Sequence, residues 1–366
     1  MNKKIVFFLY DLSMGGTEKV AVRLSNYLVK KGYEVEILLV SNNNVFLSEI
    51  DHKVKVTSFN LIKISQSIIP LIQFLKKKNY DFFLSNVWPL TIVSVIAFLF
   101  LPSQLNKLIL IEHCHLREEW KEKSFFFKFF QRMSIKFLYN LSKQIISVSE
   151  GVSEDLISKG VKQEKTKVIY NPAFSEPDLF IQKLPEKVIS WSQSKEIKII
   201  SVGNFKTQKN YPNLIKSIDI LKNDRNIACK LLIVGDGPRR AEIEEMVIEK
   251  NLNKDVCLLG QFNAPLNLIN LADLFVLPSD YEGFGLVIVE ALSLGKTVVS
   301  TNCKSGPAEI IGNNKYGYLC KVNDPKDLAE KIEYAINHKM DEEILIKRAK
   351  DFSVENIGIE YENIFN

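Results

Sequence analysis

Leu277-Pro-Ser-Asp-Tyr-Glu-Gly-Phe-Gly-Leu-Val-Ile-Val-Glu290 joins a strand, a glycine-bearing loop and a helix. The β-branched apolar run from Leu274 to Leu277 predicts the strand, and the helical pattern that follows carries Glu290 and ends near Gly295. Glu282 and Glu290 are separated by seven residues, so one lies in the loop and the other on the helix. Between them the first backbone N–H groups of the helix have no intrahelical partner and carry the positive end of its dipole. They suit a phosphate, and Gly283 and Gly285 remove Cβ atoms from its approach. The expected cradle is Gly283, Phe284, Gly285, Leu286 and Val287, flanked by two carboxylates that can take hydroxyls. A nucleotide sugar has that form.

The rest of the chain gives this motif a setting. Its 366 residues suffice for two domains, and 25% charged with 46% hydrophobic residues is the balance of a soluble globular protein. The net charge of +5 fits an anionic substrate or membrane surface, and nothing points to a nucleic-acid partner. Five cysteines without a C-x-x-C pair predict a reduced, cytoplasmic protein. The apolar run at residues 4–10 is too short for a signal peptide and reads as a first strand. The run from Leu90 to Leu101 is too short to span a bilayer core of about 30 Å as a helix.

Lys4 to Tyr10 and Glu34 to Val40 read as parallel strands around a glycine turn at Gly15-Gly16-Thr17-Glu18 and a helix. That unit lacks a full G-x-G-x-x-G, which counts against a dehydrogenase. Further strands are expected at 80–85 and 108–113, with a core helix near 88–101. Trp120 to Gln144 reads as one amphipathic helix with Lys121, Lys128, Arg132, Lys136 and Lys143 on one side. Phe126, Phe130, Met133, Phe137 and Leu141 fall on the other. A basic stripe over an aromatic face suits an anionic membrane surface through Lys128, Arg132 and Lys136. The same pattern also describes a helix packed on its own domain. Pro172, Pro177 and Pro185 in a polar stretch place a domain boundary near 175–195.

The segment PSxxEGFGL, with EAL and GKxVVSTxxxxGPAEII after it, resembles glycosyltransferase family 4, the retaining enzymes of GT-B fold. The resemblance runs from Gly15 to the C-terminal helix. It implies two Rossmann-like α/β domains facing a cleft: 1–180 for the acceptor and 190–350 for the nucleotide sugar. Residues 351–366 would form a helix that returns to the first domain. It also implies that Gly15 and Gly16 face the donor diphosphate, and that a histidine at a strand end contacts the donor sugar. His113 is the better match and His115 the alternative. Phe262 lies in a loop near the base. The family's diphosphate-gripping lysine is Lys209, but its arginine is replaced by Asn204; Lys206, facing the same side of an extended segment, is a candidate substitute.

No D-x-D occurs in the sequence, so a metal-independent scheme is expected, with no cofactor beyond the nucleotide-sugar cosubstrate. Lys209 and the helix start would hold the leaving diphosphate, Glu282 the transferred sugar and Glu290 the ribose hydroxyls. Lys209, Glu282 and His113 are the catalytic candidates. The reading is a retaining transferase of a hexose or N-acetylhexosamine from a UDP-sugar. Its acceptor would be a lipid-linked glycan or polysaccharide at the inner membrane face. A soluble transferase with a small acceptor and a catalytically silent membrane scaffold are the alternatives.

Overall fold

Strands buried on both faces of a parallel sheet are written as unbroken apolar runs. Ile5-Val-Phe-Phe-Leu9 is such a run, and each of its side chains is buried. The computed structural model describes residues 3–13, 15–176 and 184–366, and divides the chain into two α/β units. The first comprises Met1–Pro172 with Val354–Asn366, the second Ala173–Ser353.

The first unit holds seven strands: β1 Lys4–Leu9, β2 Glu34–Leu39, β3 Lys55–Ser58, β4 Phe82–Asn86, β5 Leu108–Glu112, β6 Gln144–Ser147 and β7 Thr166–Val168. Their order is β3-β2-β1-β4-β5-β6-β7, and every pairing is parallel. The winding reverses between β1 and β4. In open α/β sheets, ligands sit beyond the strand carboxyl ends at such a reversal. The C-terminal helix Val354–Phe365 belongs to this unit. Phe365 stacks on Phe82 with centroids 5.0 Å apart, and the Tyr27 hydroxyl donates to Glu362. Gly358 makes the contact possible, since a Cβ there would lie 2.3 Å from the Tyr27 ring.

The second unit repeats the plan with β8 Ile197–Val202, β9 Cys229–Val234, β10 Val256–Gly260, β11 Leu274–Leu277, β12 Thr297–Thr301 and β13 Tyr318–Cys320. The order is β10-β9-β8-β11-β12-β13, again all parallel, with the reversal between β8 and β11. Ile199, Leu231, Ile233, Leu274 and Val276 from three strands pack against Leu214, Ile218 and Leu221 of the helix Tyr211–Asn223.

Three expectations need correction. The division falls after Pro172, ahead of the expected 175–195. Pro177 and the rest of 177–183 lie outside the described residues, and Glu186–Ser192 is a helix of the second unit that buries Val188 and Trp191. The basic-aromatic segment is not one helix. Leu116–Glu119 forms a short helix, and Phe125–Leu138 begins afresh with Ser124 as its cap, the hydroxyl accepting from Phe127 N–H at 3.3 Å. Lys121 and Lys143 are therefore off that helix, and Leu141 sits in the 3₁₀ turn Tyr139–Leu141. Its buried face is Gln131 and Ile135; Phe125, Phe126 and Phe130 are 76%, 73% and 68% exposed. The phenyl row faces solvent instead of filling the core.

Candidate active site

In the second unit the site is built where the loops after β8 and β11 meet. The β8 loop turns through Thr207–Lys209 into Asn210, whose left-handed backbone (φ 42°) starts the helix Tyr211–Asn223. Asparagine tolerates that conformation, and its side-chain oxygen accepts from Asn213 N–H at 3.3 Å. Its amide donates across to Asp280 at 2.6 Å. Asp280 N–H donates to the Gln208 carbonyl at 2.8 Å, and the Gln208 amide to the Tyr281 carbonyl at 2.9 Å. The two loops are thus stitched together at three points.

That stitching aims Lys209 at Glu282. The ammonium lies 2.6 Å from Glu282 Oε1, which also accepts from the Ser279 hydroxyl at 2.6 Å. The Glu282 carboxylate is nearly buried and its charge is met inside the fold. One donor of the ammonium serves Glu282, which leaves up to two for phosphate oxygens. Gly203 supplies the room, because a Cβ there would stand 3.0 Å from Lys209 Cε. Cys303 lies in the same electrostatic neighbourhood; burial first, and then Glu282, pushes its thiol well up, so it stays protonated.

The helix Leu286–Ser293 opens at Gly285, which takes φ 101°. A Cβ at Gly285 would meet nothing nearer than 3.4 Å, so its value is in the backbone conformation rather than in close approach. Leu286 and Val287 in the first turn are half-buried, and Glu290 is buried in the second. The Phe284 ring turns inward onto Phe352 at 5.4 Å. Asn204 and Lys206 are exposed on either side of buried Phe205, but the segment is a tight turn and not extended, with Lys206 N–H donating to the Asn204 carbonyl at 2.8 Å. Phe262 follows β10, an edge strand, with β9 between that strand and β8.

In the first unit His113 sits just past β5, and its Nε2 is 3.1 Å from the Asn86 amide oxygen at the end of β4. Burial lowers its pKa to about 3, so the ring is neutral. With the Asn86 oxygen as acceptor, the proton belongs on Nε2, leaving Nδ1 to accept a hydroxyl. His115 starts the helix Leu116–Glu119 and is 3.9 Å from Asp155. Gly15 precedes the helix Gly16–Lys30, where a Cβ would lie 2.1 Å from Glu18 Oε2; the helix's own carboxylate folds over the glycine. Lys128, Arg132 and Lys136 are all exposed beside the phenyl row.

Sequence reasoning passed over Glu112. It is fully buried at the end of β5 and accepts from Tyr139, from Thr91 at 3.3 Å and from Trp88 N–H at 3.4 Å. Burial pushes its pKa up to about 7 against these hydrogen bonds. Next to it Val87, a β-branched residue, holds φ 61°, a strain of about 1–3 kcal/mol. The one clue in the sequence is a charged residue closing the apolar run Leu108-Ile-Leu-Ile111.

Two parallel sheets wound in the same order, one carrying braced Lys and Glu loops at its reversal, are the architecture of a GT-B glycosyltransferase. The chain belongs to that class by family: residues 14–173 match Glycosyltransferase Family 4 and residues 185–352 match Glycosyl transferases group 1. It is 27% identical over 341 residues to a Campylobacter jejuni N-acetylgalactosamine-N,N'-diacetylbacillosaminyl-diphospho-undecaprenol 4-alpha-N-acetylgalactosaminyltransferase, covering 89% of this chain and 88% of that one. A second C. jejuni enzyme is also 27% identical, over 98% of this chain and 97% of its own. It is a GalNAc-alpha-(1->4)-GalNAc-alpha-(1->3)-diNAcBac-PP-undecaprenol alpha-1,4-N-acetyl-D-galactosaminyltransferase. Among solved structures, Anabaena HepE in complex with UDP and glucose superposes with a TM-score of 0.76 at 20% identity, covering 99% of both chains.

Proposed function

We propose that this glycosyltransferase moves an N-acetylhexosamine or hexose from a UDP-sugar to a polyprenyl-diphosphate-linked glycan at the inner membrane face. The Lys209–Glu282 pair, braced by Ser279 and Gln208, carries the proposal. A lysine ammonium beside a helix start is suited to a leaving diphosphate, and preorganised charge of this kind supplies roughly 3 kcal/mol per donor. The bond from the anomeric carbon to the phosphate oxygen breaks, and the acceptor hydroxyl oxygen bonds to that carbon. The hydroxyl proton leaves with the nucleoside diphosphate. Retention would follow if attack comes from the side the diphosphate leaves. Glu282 holds sugar hydroxyls and Glu290 the ribose. Binding without a metal is part of the proposal, and undiminished turnover in EDTA is the result it expects.

The lipid-linked acceptor is supported by the names of the two C. jejuni relatives and by the outer surface of Phe125–Leu138. Exposed phenyls beside Lys128, Arg132 and Lys136 complement an anionic bilayer, each cation contributing about 1 kcal/mol near such a surface. No described helix is long and apolar enough to cross a membrane. The test offers radiolabelled UDP-, GDP- and ADP-sugars to membranes containing the protein. Label in a lipid-extractable glycan supports the reading; label only in water-soluble product refutes the lipid-linked acceptor.

A further inference from the structure

At the carboxyl edge of the first sheet, three aromatic side chains from three separate segments meet. Trp88 follows β4, Trp120 closes the short helix Leu116–Glu119, and Phe127 belongs to the first turn of Phe125–Leu138. The ring centroids of Trp88 and Trp120 are 5.3 Å apart, those of Trp88 and Phe127 5.4 Å, and those of Trp120 and Phe127 5.2 Å. All three side chains are half-buried, so the cluster reaches the surface rather than completing the core.

Two observations mark it as a built site. The indole N–H groups of Trp88 and Trp120 are shielded from water and have no hydrogen-bond partner among the described residues. Buried indole N–H groups ordinarily find one. The backbone under Trp88 is also fixed from below: strained Val87 precedes it, and buried Glu112 accepts from its N–H while holding Thr91 and Tyr139. Tyr139 directly follows Phe125–Leu138, so one carboxylate ties the Trp88 loop to the segment that presents Phe127.

We propose that Trp88, Trp120 and Phe127 are the subsite for the acceptor's sugar. This rests on the glycan-acceptor reading above. A pyranose has an apolar C–H face that stacks on aromatic rings and a rim of hydroxyl or acetamido oxygens. In the bound state the two shielded indole N–H groups, unpartnered among the described residues, are the donors that meet that rim. Apolar walls with a few polar groups that set orientation are the usual makeup of a small-ligand site. An isoprenoid chain would leave both N–H donors unused, and the phenyl row on the outer face of the same helix suits it better. Phe127 inward and Phe126 outward then set the sugar next to the lipid surface.

The test uses the full chain labelled with 5-fluorotryptophan. The protein has three tryptophans, and the third, Trp191, lies in the second unit with its N–H donating to the Lys230 carbonyl at 3.1 Å. Methyl glycosides of glucose, galactose, GlcNAc and GalNAc are titrated while the ¹⁹F spectrum is followed. At least one should shift the Trp88 and Trp120 resonances saturably and leave Trp191 in place. If none moves either resonance, the subsite is wrong. In turnover, Trp120→Ala should raise the KM for a polyprenyl-diphosphate-linked acceptor at least tenfold with the donor KM within twofold, and Trp120→Phe should recover most of the loss. An unchanged acceptor KM in Trp120→Ala overturns the subsite while leaving the transferase reading intact. Shifted indole signals in a protein that never uses a lipid-linked acceptor support the subsite and sink that acceptor reading.

Discussion

The two units share a strand order but build their strand-end sites from different materials. In the second unit the site is polar and made by loops: Gln208, Lys209, Asn210, Ser279, Asp280 and Glu282 bond to one another across one reversal of the sheet. In the first unit it is aromatic and half-buried, set over a buried carboxylate. One buried carboxylate, Glu112, holds side chains that lie far apart in sequence. The polar site needs exact backbone conformations, and so it shows itself as glycine, asparagine and proline at fixed spacing. The aromatic site needs only tertiary packing, which leaves almost no local pattern.

If the first unit meets a membrane, the contrast should appear in localisation before it appears in chemistry. Replacing Lys128, Arg132 and Lys136 by Glu reverses three charges and should cost more than about 3 kcal/mol of vesicle binding, a loss of a hundredfold or more. Flotation with anionic vesicles measures it, and retained flotation would show that the exposed phenyl row faces something else.

The buried carboxylate offers a sharper separation. Glu112 is raised to about 7 from 4.5, so between those pH values the folded chain keeps a proton that the unfolded chain has lost. Its contribution therefore falls as pH rises through that window. His113, lowered to about 3 from 6.5, works the other way and costs stability as pH falls below 6.5. Glu112→Gln removes only the first effect. Relative to wild type it should gain about 3 kcal/mol in unfolding free energy from pH 4.5 to pH 8. Denaturant melts at the two pH values decide it; a pH-independent difference would mean Glu112 titrates normally.

Packing gives a smaller effect. Gly358→Ala pushes a methyl into the Tyr27 ring and should cost about 1–3 kcal/mol. Hydrogen exchange should locate the loosening in the first unit. Smallest of all is an expected flatness: His113 stays neutral from pH 5 to 8, so its replacement by Gln should leave the shape of the kcat/KM profile over that range unchanged. A lost inflection near 6.5 would show that the ring is not buried.

The same contrast explains what could be read in advance. Most inner strands of both sheets and the Lys209 and Glu282 loops were legible, because apolar runs and glycine turns are local features; the short edge strands β3 and β13 carry no such run and went unread. That the two side chains would pair was not, since stitching by Gln208 and Asn210 spans some seventy residues of chain. The fate of the phenyl row could not be settled by periodicity. A helix exposing Phe126 and Phe130 has the same spacing as one burying them, and only the packing of Gln131 and Ile135 decided it. The helix Glu186–Ser192 was hidden by the prolines around it. Trp88 and Trp120 stand thirty-two positions apart with no motif between them.

The central claim is that Lys209, together with the start of Leu286–Ser293, grips the donor's diphosphate unaided by a metal ion. Isothermal titration of UDP, GDP and ADP into wild type and Lys209→Ala, each with EDTA, tests it most directly. The account predicts that one nucleotide binds wild type in EDTA and binds the variant at least tenfold more weakly, about 1.4 kcal/mol. Equal affinity in the two proteins, or binding that vanishes with EDTA, would contradict it.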